Sequence, residues 1–222
     1  MRWFRLESWL HCRCPVIEPE RFIARSSDRD IWLAARAEGV TATMVSKAST
    51  PAGFRDVIEQ IDNPVDIVPN DVMAWGNHRE PFIAQIVKEK TGIMPNDWLI
   101  AHDNGLRRWQ MATPDGLSMD HTLIAEIKTT GKPLDKIPIH YMRQIQWQMH
   151  VCGPQVERAL FAYELRLEGP EGFVPGFDVE TQWVERNEKM IGDLIAVAEH
   201  VQQHIVYSSW DERERLENEH GI

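Results

Sequence analysis

Residues 112–130 read ATPDGLSMDHTLIAEIKTT, two strand-like runs on either side of a loop. In the second run Glu126 and Lys128 are two residues apart, so they project from one face of a sheet, about 7 Å apart along the strand. Ile124 shares that face, and Ala125, Ile127 and Thr129 turn to the other. Asp115 sits where the preceding strand enters its turn, so a hairpin brings it beside Glu126. Two converging carboxylates, with the Ile127 carbonyl as a further oxygen, make a hard site suited to Mg²⁺ or Mn²⁺. An ammonium held beside such a site orients an attacking water and stabilises charge growing on phosphorus. The set therefore suits phosphodiester hydrolysis. A plain structural origin stays open at this point, because Asp-Gly favours turns and Glu and Lys form cross-strand pairs.

Outward from this stretch, the chain alternates helical and strand patterns. Residues 31–38 are helix-like with Asp28 or Asp30 as cap, and a short helix starts at Ala42. The segment 50–70 is punctuated by Pro51, Gly53, Pro64 and Pro69 and reads as loop-rich. In EPFIAQIVKEK, residues 80–90, Phe82, Ile83, Ile86 and Val87 form a helical face, with Pro81 in the first turn and Gly92 as terminator. Strands are expected at 98–102, 108–112 and 123–128, then a helix at 140–152 ended by Gly153-Pro154. A strand at 158–167, another within 173–184, and an amphipathic helix at 187–206 complete the order. This is an α/β arrangement, a central sheet bracketed by helices.

The 222 residues are enough for one packed domain, with residues 1–24 as an N-terminal extension and 207–222 as an acidic tail. No run is long enough to span a membrane and the N-terminus lacks a secretory signal, so a cytoplasmic location is expected. Three cysteines, Cys12, Cys14 and Cys152, do not make a disulfide framework. Cys12 and Cys14 with His11 lack a fourth ligand at zinc-site spacing and read as ordinary thiols. The net charge of −10 argues against a broad nucleic-acid-binding surface but leaves room for a narrow basic channel. Histidines 78, 102, 121, 140 and 150 have no nucleophilic partner in sequence and read as structural or exposed.

The Pro-Asp…Glu-x-Lys core within its helix–strand–strand–strand–helix frame resembles the PD-(D/E)xK nuclease superfamily, a restriction-endonuclease-like fold with a central mixed sheet. Three further segments narrow the resemblance: IWLAARAEGVTAT (31–43), AWGNHREPFIA (74–84) and IHYMRQIQWQMHVCG (139–153). Together they are similar to the lambda exonuclease family, the YqaJ-type viral recombinases, over roughly residues 31–165.

The resemblance implies a metal-dependent 5′→3′ exonuclease that degrades one strand of linear duplex DNA, with two Mg²⁺ or Mn²⁺ ions per site. It further implies a toroidal homotrimer and a single-strand annealing partner in phage recombination, encoded by a phage or prophage and working in the bacterial host. Asp115, Glu126, the Ile127 carbonyl and Glu80 are then metal ligands, and Lys128 orients the water. Gln144 reaches into the active site with Tyr141 in support, both on a helix face shared with Gln148. Arg36, Thr43 and Thr113 fall where relatives place an arginine and two hydroxyls around a 5′-phosphate, a bidentate grip that guanidinium geometry favours. Asp103 matches an acidic residue before the core, but it serves equally as a turn aspartate before Asn104-Gly105, and its place is left open. Alternatives are an endonuclease or 3′-directed nuclease of the superfamily, and a non-catalytic DNA-end-binding protein.

Overall fold

The computed structural model describes residues 16–65, 68–176 and 178–220, with side chains as far as residue 209. His11, Cys12 and Cys14 lie outside the described residues. In chain order the elements are β1 (Phe22–Arg25), α1 (Arg29–Ala37), β2 (Val40–Thr41), α2 (Ala42–Ala48), α3 (Pro51–Asp62), α4 (Asp71–Thr91), β3 (Met94–Pro95), β4 (Trp98–Ala101), β5 (Gln110–Ala112), β6 (Gly116–Leu117), β7 (Leu123–Thr130), α5 (Ile139–Cys152), β8 (Arg158–Gly169), β9 (Gly172–Pro175), β10 (Glu180–Glu185) and α6 (Glu188–His220).

The strands form the expected central mixed sheet and, beside it, a second and smaller one. The larger runs β10-β8-β7-β6-β3 with β9 paired to β8, and the smaller runs β1-β4-β5-β2. β7 is the hinge of the larger sheet, parallel to β8 and antiparallel to β6. Its alternation distributes side chains between two cores. Ala125 and Ile127 pack with Ile83, Ala84 and Val87 of α4, and Ile124 packs with Ile145, Trp147 and Met149 of α5. At roughly 1.5–3 kcal/mol for each fully buried large aliphatic side chain, this two-sided burial is what fixes the strand's register.

Several sequence expectations shift. Segment 50–70 is not loop-rich: α3 occupies Pro51–Asp62, with Pro51 at its first position and the Thr50 hydroxyl accepting from Gly53 N at 3.1 Å. There the proline opens a helix, because its missing N–H is unneeded in the first turn. The helix expected from residue 80 starts nine residues earlier, capped by Asn70, whose side chain accepts from Met73 N at 2.9 Å. Pro81 thus lies inside α4, not in its first turn. The helix tolerates it because burial of Ile83, Ala84 and Val87 outweighs one lost hydrogen bond. Gly92 ends α4 at φ 77°, a left-handed conformation that favours glycine. Residues 16–24, grouped with the N-terminal extension in the sequence, join the fold. Ile17 is buried, β1 pairs with β4, and Arg21 donates to the carbonyls of Ala101 (2.9 Å) and Val151 (2.5 Å). The acidic tail continues α6 to His220.

Candidate active site

The turn between the strands of the opening stretch is not Pro-Asp-Gly. It spans residues 118–122, where the Ser118 hydroxyl accepts from Leu123 N at 2.9 Å and donates to Asp120 at 2.7 Å. The strand expected at 108–112 is shorter, Gln110–Ala112, and belongs to the smaller sheet. Asp115 therefore sits at a bend between the sheets, one residue before β6. Because Gly116 pairs with Ala125, Asp115 comes opposite Glu126 all the same. Glycine is required at 116 for a spatial reason: a Cβ there would lie 2.8 Å from Ile93 Cγ2 and 3.0 Å from Ala125 Cβ. The Asp115 carboxylate is tied down as well, its Oδ2 accepting from the Ile127 backbone N at 2.6 Å.

Glu126 is buried at 1% exposure. Its Oε2 accepts from Gln148 Nε2 at 2.6 Å, and its Oε1 meets the Lys128 ammonium in an ion pair without any other donor. Lys128 Nζ lies 5.6 Å from the centre of the Tyr141 ring. Burial would lower the Lys128 pKa, but the Glu126 and Asp115 charges and the bond to Glu126 outweigh it and hold the ammonium firmly protonated. The Asp115 pKa is raised as well, which here disfavours its charged form. Loss of solvent and the neighbouring Glu126 charge push its pKa well above the usual aspartate value, with Lys128 only partly opposing. Glu80, one turn before Ile83 and Ala84 on α4, stands at the accessible rim. Partial desolvation and the Glu126 charge raise its pKa, against the pull of Lys128. Asp115, Glu126, Lys128 and Glu80 thus form one electrostatically linked group.

Among the described residues, no three His, Cys, Asp or Glu side chains are already arranged as a closed metal cage. The donor chemistry fits a hard divalent cation nonetheless. Two carboxylates are pressed together and only partly compensated, and a buried Glu126 oxygen lacks an aligned hydrogen-bond donor.

The remaining expected residues scatter more widely. Gln144 does not touch a carboxylate; its Nε2 reaches the Thr43 hydroxyl at 3.5 Å. Gln148 makes the carboxylate contact instead. Nothing but its place on the same helix face as Tyr141 and Gln144 pointed to it, since burial of Glu126 on the α5 side is a tertiary fact. Gln146 bridges β10 to α6, donating to Glu185 O and accepting from Asn187 N, both at 2.8 Å. Asp103 accepts from the backbone N of Gly105 (2.9 Å) and Arg107 (3.0 Å), which makes it a loop-closing aspartate.

Arg36 is half-buried and lies over the Trp32 ring at 4.2 Å. Burial lowers its pKa, and no acidic side chain among the described residues pairs with it. The parallel pairs Val40↔Gln110 and Thr41↔Met111 end where α2 begins, leaving Thr43 in the first turn of α2 and Thr113 just past β5. The Thr113 hydroxyl is buried without a partner, as is that of Thr41, a residue the sequence did not single out. The histidines are structural or exposed: His102 and His150 stack at 4.5 Å, and His121 Nδ1 accepts from Ile17 N at 2.9 Å. The Cys152 thiol is buried and pushed up to about 12 by desolvation, so it is no nucleophile.

The described geometry is that of an α/β fold shared with exonucleases. The structure superposes on an alkaline exonuclease from Laribacter hongkongensis with a TM-score of 0.64 at 22% identity, covering 85% of this chain and 98% of that one. The complex of the same exonuclease with dAMP gives 0.61 at 23%, covering 86% and 98%. A phage-related exonuclease from Haemophilus somnus gives 0.58 at 12%, covering 79% and 96%. No curated protein matches the chain in sequence. Residues 31–155 match the YqaJ-like viral recombinase domain, and the chain belongs to that family. Among the described residues no helix is long and apolar enough to cross a membrane.

Proposed function

We propose that this protein is a metal-dependent 5′→3′ exonuclease that degrades one strand of linear duplex DNA. The observation that carries the reading is the cluster of Asp115, at the entry to β6, with Glu126 and Lys128 of β7, the ammonium paired to the Glu126 carboxylate. Family membership and the exonuclease folds it superposes on support the same reading.

Asp115 and Glu126, with Glu80 at the rim and the Ile127 carbonyl, would hold Mg²⁺ or Mn²⁺. When bound, the cation supplies charge neutralisation and Lewis acidity at the scissile phosphate. Lys128, kept protonated by its acidic neighbours, donates hydrogen bonds to the attacking water and to the phosphoryl oxygens, where negative charge builds. It is therefore an orienting cation and not a base. Tyr141 backs the ammonium with its ring face. Arg36, unpaired with any acid among the described residues, would take a 5′-phosphate in its guanidinium fork, with the Thr43 and Thr113 hydroxyls on the remaining oxygens. A toroidal homotrimer and a single-strand annealing partner belong to the same reading. Light scattering at working concentration tests the trimer.

The decisive experiment compares linear duplexes bearing 5′-phosphate or 5′-hydroxyl ends with covalently closed circular duplex, in Mg²⁺ and in chelator. The expected result is 5′-end degradation of the phosphorylated linear DNA, slower attack on the hydroxyl end, an intact circle, and no cleavage in chelator. A cut circle would replace the exonuclease by an endonuclease. Cleavage in chelator would remove the metal. Indifference to the end group would remove the Arg36 pocket.

A further inference from the structure

Gln148 is 1% exposed, and its amide is split between two fates. Nε2 donates to Glu126 Oε2 at 2.6 Å, while Oε1, equally buried, meets no donor. An unsatisfied buried carbonyl destabilises the fold. A methionine fills nearly the same volume without that cost. The glutamine is thus a poor packing residue at this place, and what it offers is the donated bond. The amide can turn only one way there, because exchanging its ends would set Oε1 against an ionised carboxylate.

Without Gln148, Glu126 is held by Lys128 alone, through a flexible four-carbon stem. Two donors on the two oxygens, one from α5 and one from β7 itself, define the plane of the carboxylate. Gln144 does not share this task, since its amide points to Thr43.

We propose that Gln148 is a positioning residue for Glu126: it fixes Oε2 from the α5 side, so that the carboxylate keeps its orientation beside Asp115 while Lys128 engages the substrate. This rests on the nuclease reading above. Its consequence is a division of labour, in which metal affinity depends on a helix residue that touches neither metal nor DNA.

The test uses Gln148→Met and Gln148→His in the full chain, read by the Mg²⁺ midpoint of thermal stabilisation and, separately, by the Mg²⁺ dependence of linear-duplex cleavage. Methionine keeps the volume and loses the donor. Histidine is a poorer fit but retains an N–H at similar reach. Gln148→Met is expected to raise both Mg²⁺ midpoints by about tenfold or more, and Gln148→His to stay close to wild type. A packing role reverses that order, so an unshifted methionine variant, or a histidine variant shifted as far as methionine, overturns the proposal. Should the methionine variant fail to fold, the histidine midpoints decide alone. A wild type that neither responds to Mg²⁺ nor cuts DNA would remove the nuclease reading and this role with it. An active, Mg²⁺-responsive wild type with an indifferent Gln148→Met removes only the positioning role.

Discussion

Two buried carboxylates on adjacent strands of the larger sheet meet opposite treatment. Glu164 of β8, 3% exposed, is clasped by Arg79 of α4 through two parallel bonds of 2.8 Å each. The bond to Glu164 raises the Arg79 pKa, and its guanidinium stacks over Phe82 at 4.7 Å. Glu126 of β7 has a point-charge lysine, a single amide bond, and a second carboxylate pressing on it from Asp115. A planar fork saturates a carboxylate; an ammonium and one amide leave it with unspent acceptor capacity. The first pair is finished and fastens a helix to a sheet. The second is unfinished, and an unfinished buried acid is where a cation or a substrate completes the structure.

Four measurements break or sharpen this contrast. The largest effect is expected from Lys128→Ala: cleavage of linear duplex falls about 100- to 1000-fold, the scale of losing one preorganised donor at developing charge, while DNA-end binding persists. Cleavage at the wild-type rate would abolish the distinction. Arg79→Ala should act on stability instead, lowering it by about 3–5 kcal/mol in denaturant titration because Glu164 is left buried and unpaired. A small loss there would show that the saturated pair fastens nothing.

The third concerns Asp115. Its folded pKa lies above its unfolded one, so its contribution to stability is full below the unfolded pKa and is lost as pH rises through the folded pKa. At pH 8 in chelator, Asp115→Asn should therefore melt above wild type, and it should no longer be stabilised by Mg²⁺. A lower melting temperature in chelator would mean that the acids do not strain one another. The smallest effect is expected at His150, which is buried, bonded to Gln110 at 2.9 Å, and lowered to about 3 by desolvation and then by the His102, Arg186 and Arg107 charges. Its unfolded form takes a proton near 6.5, so stability is whole above that pH and declines as pH falls toward 3. His150→Phe should flatten this limb in urea midpoints measured against pH; an unchanged slope would exclude His150 as its source.

Much of the fold was legible. The period-2 pattern of residues 123–128 placed Glu126 and Lys128 together and sent Ala125 and Ile127 to the opposite core, as found. The helices expected at 140–152 and 187–206 followed from their apolar spacing and are found as α5 and the first part of α6, which runs on through the acidic tail. Prolines misled twice, Pro51 because a proline reads locally as a breaker and Pro81 because it reads as a first-turn residue. Pro51 opens α3 and Pro81 lies within α4, where packing decides the outcome. The division into two sheets was hidden, since two- and three-residue strands such as β2, β5 and β6 carry no periodicity to read.

The sequence by itself determined the chemistry on offer: which acids, which lysine, and which face of β7 they share, because side-chain direction along a strand depends only on parity. Tertiary structure decided who meets whom. It brought Asp115 to Glu126 through β6 rather than a tight turn, chose Gln148 over Gln144 as the amide on the carboxylate, and closed Asp103 into its own loop. The amide contact spans 22 residues, and a local pattern holds no information about a partner at that distance; the other two lie within reach of one hairpin or one loop, where the pattern offers the residues and packing selects the path.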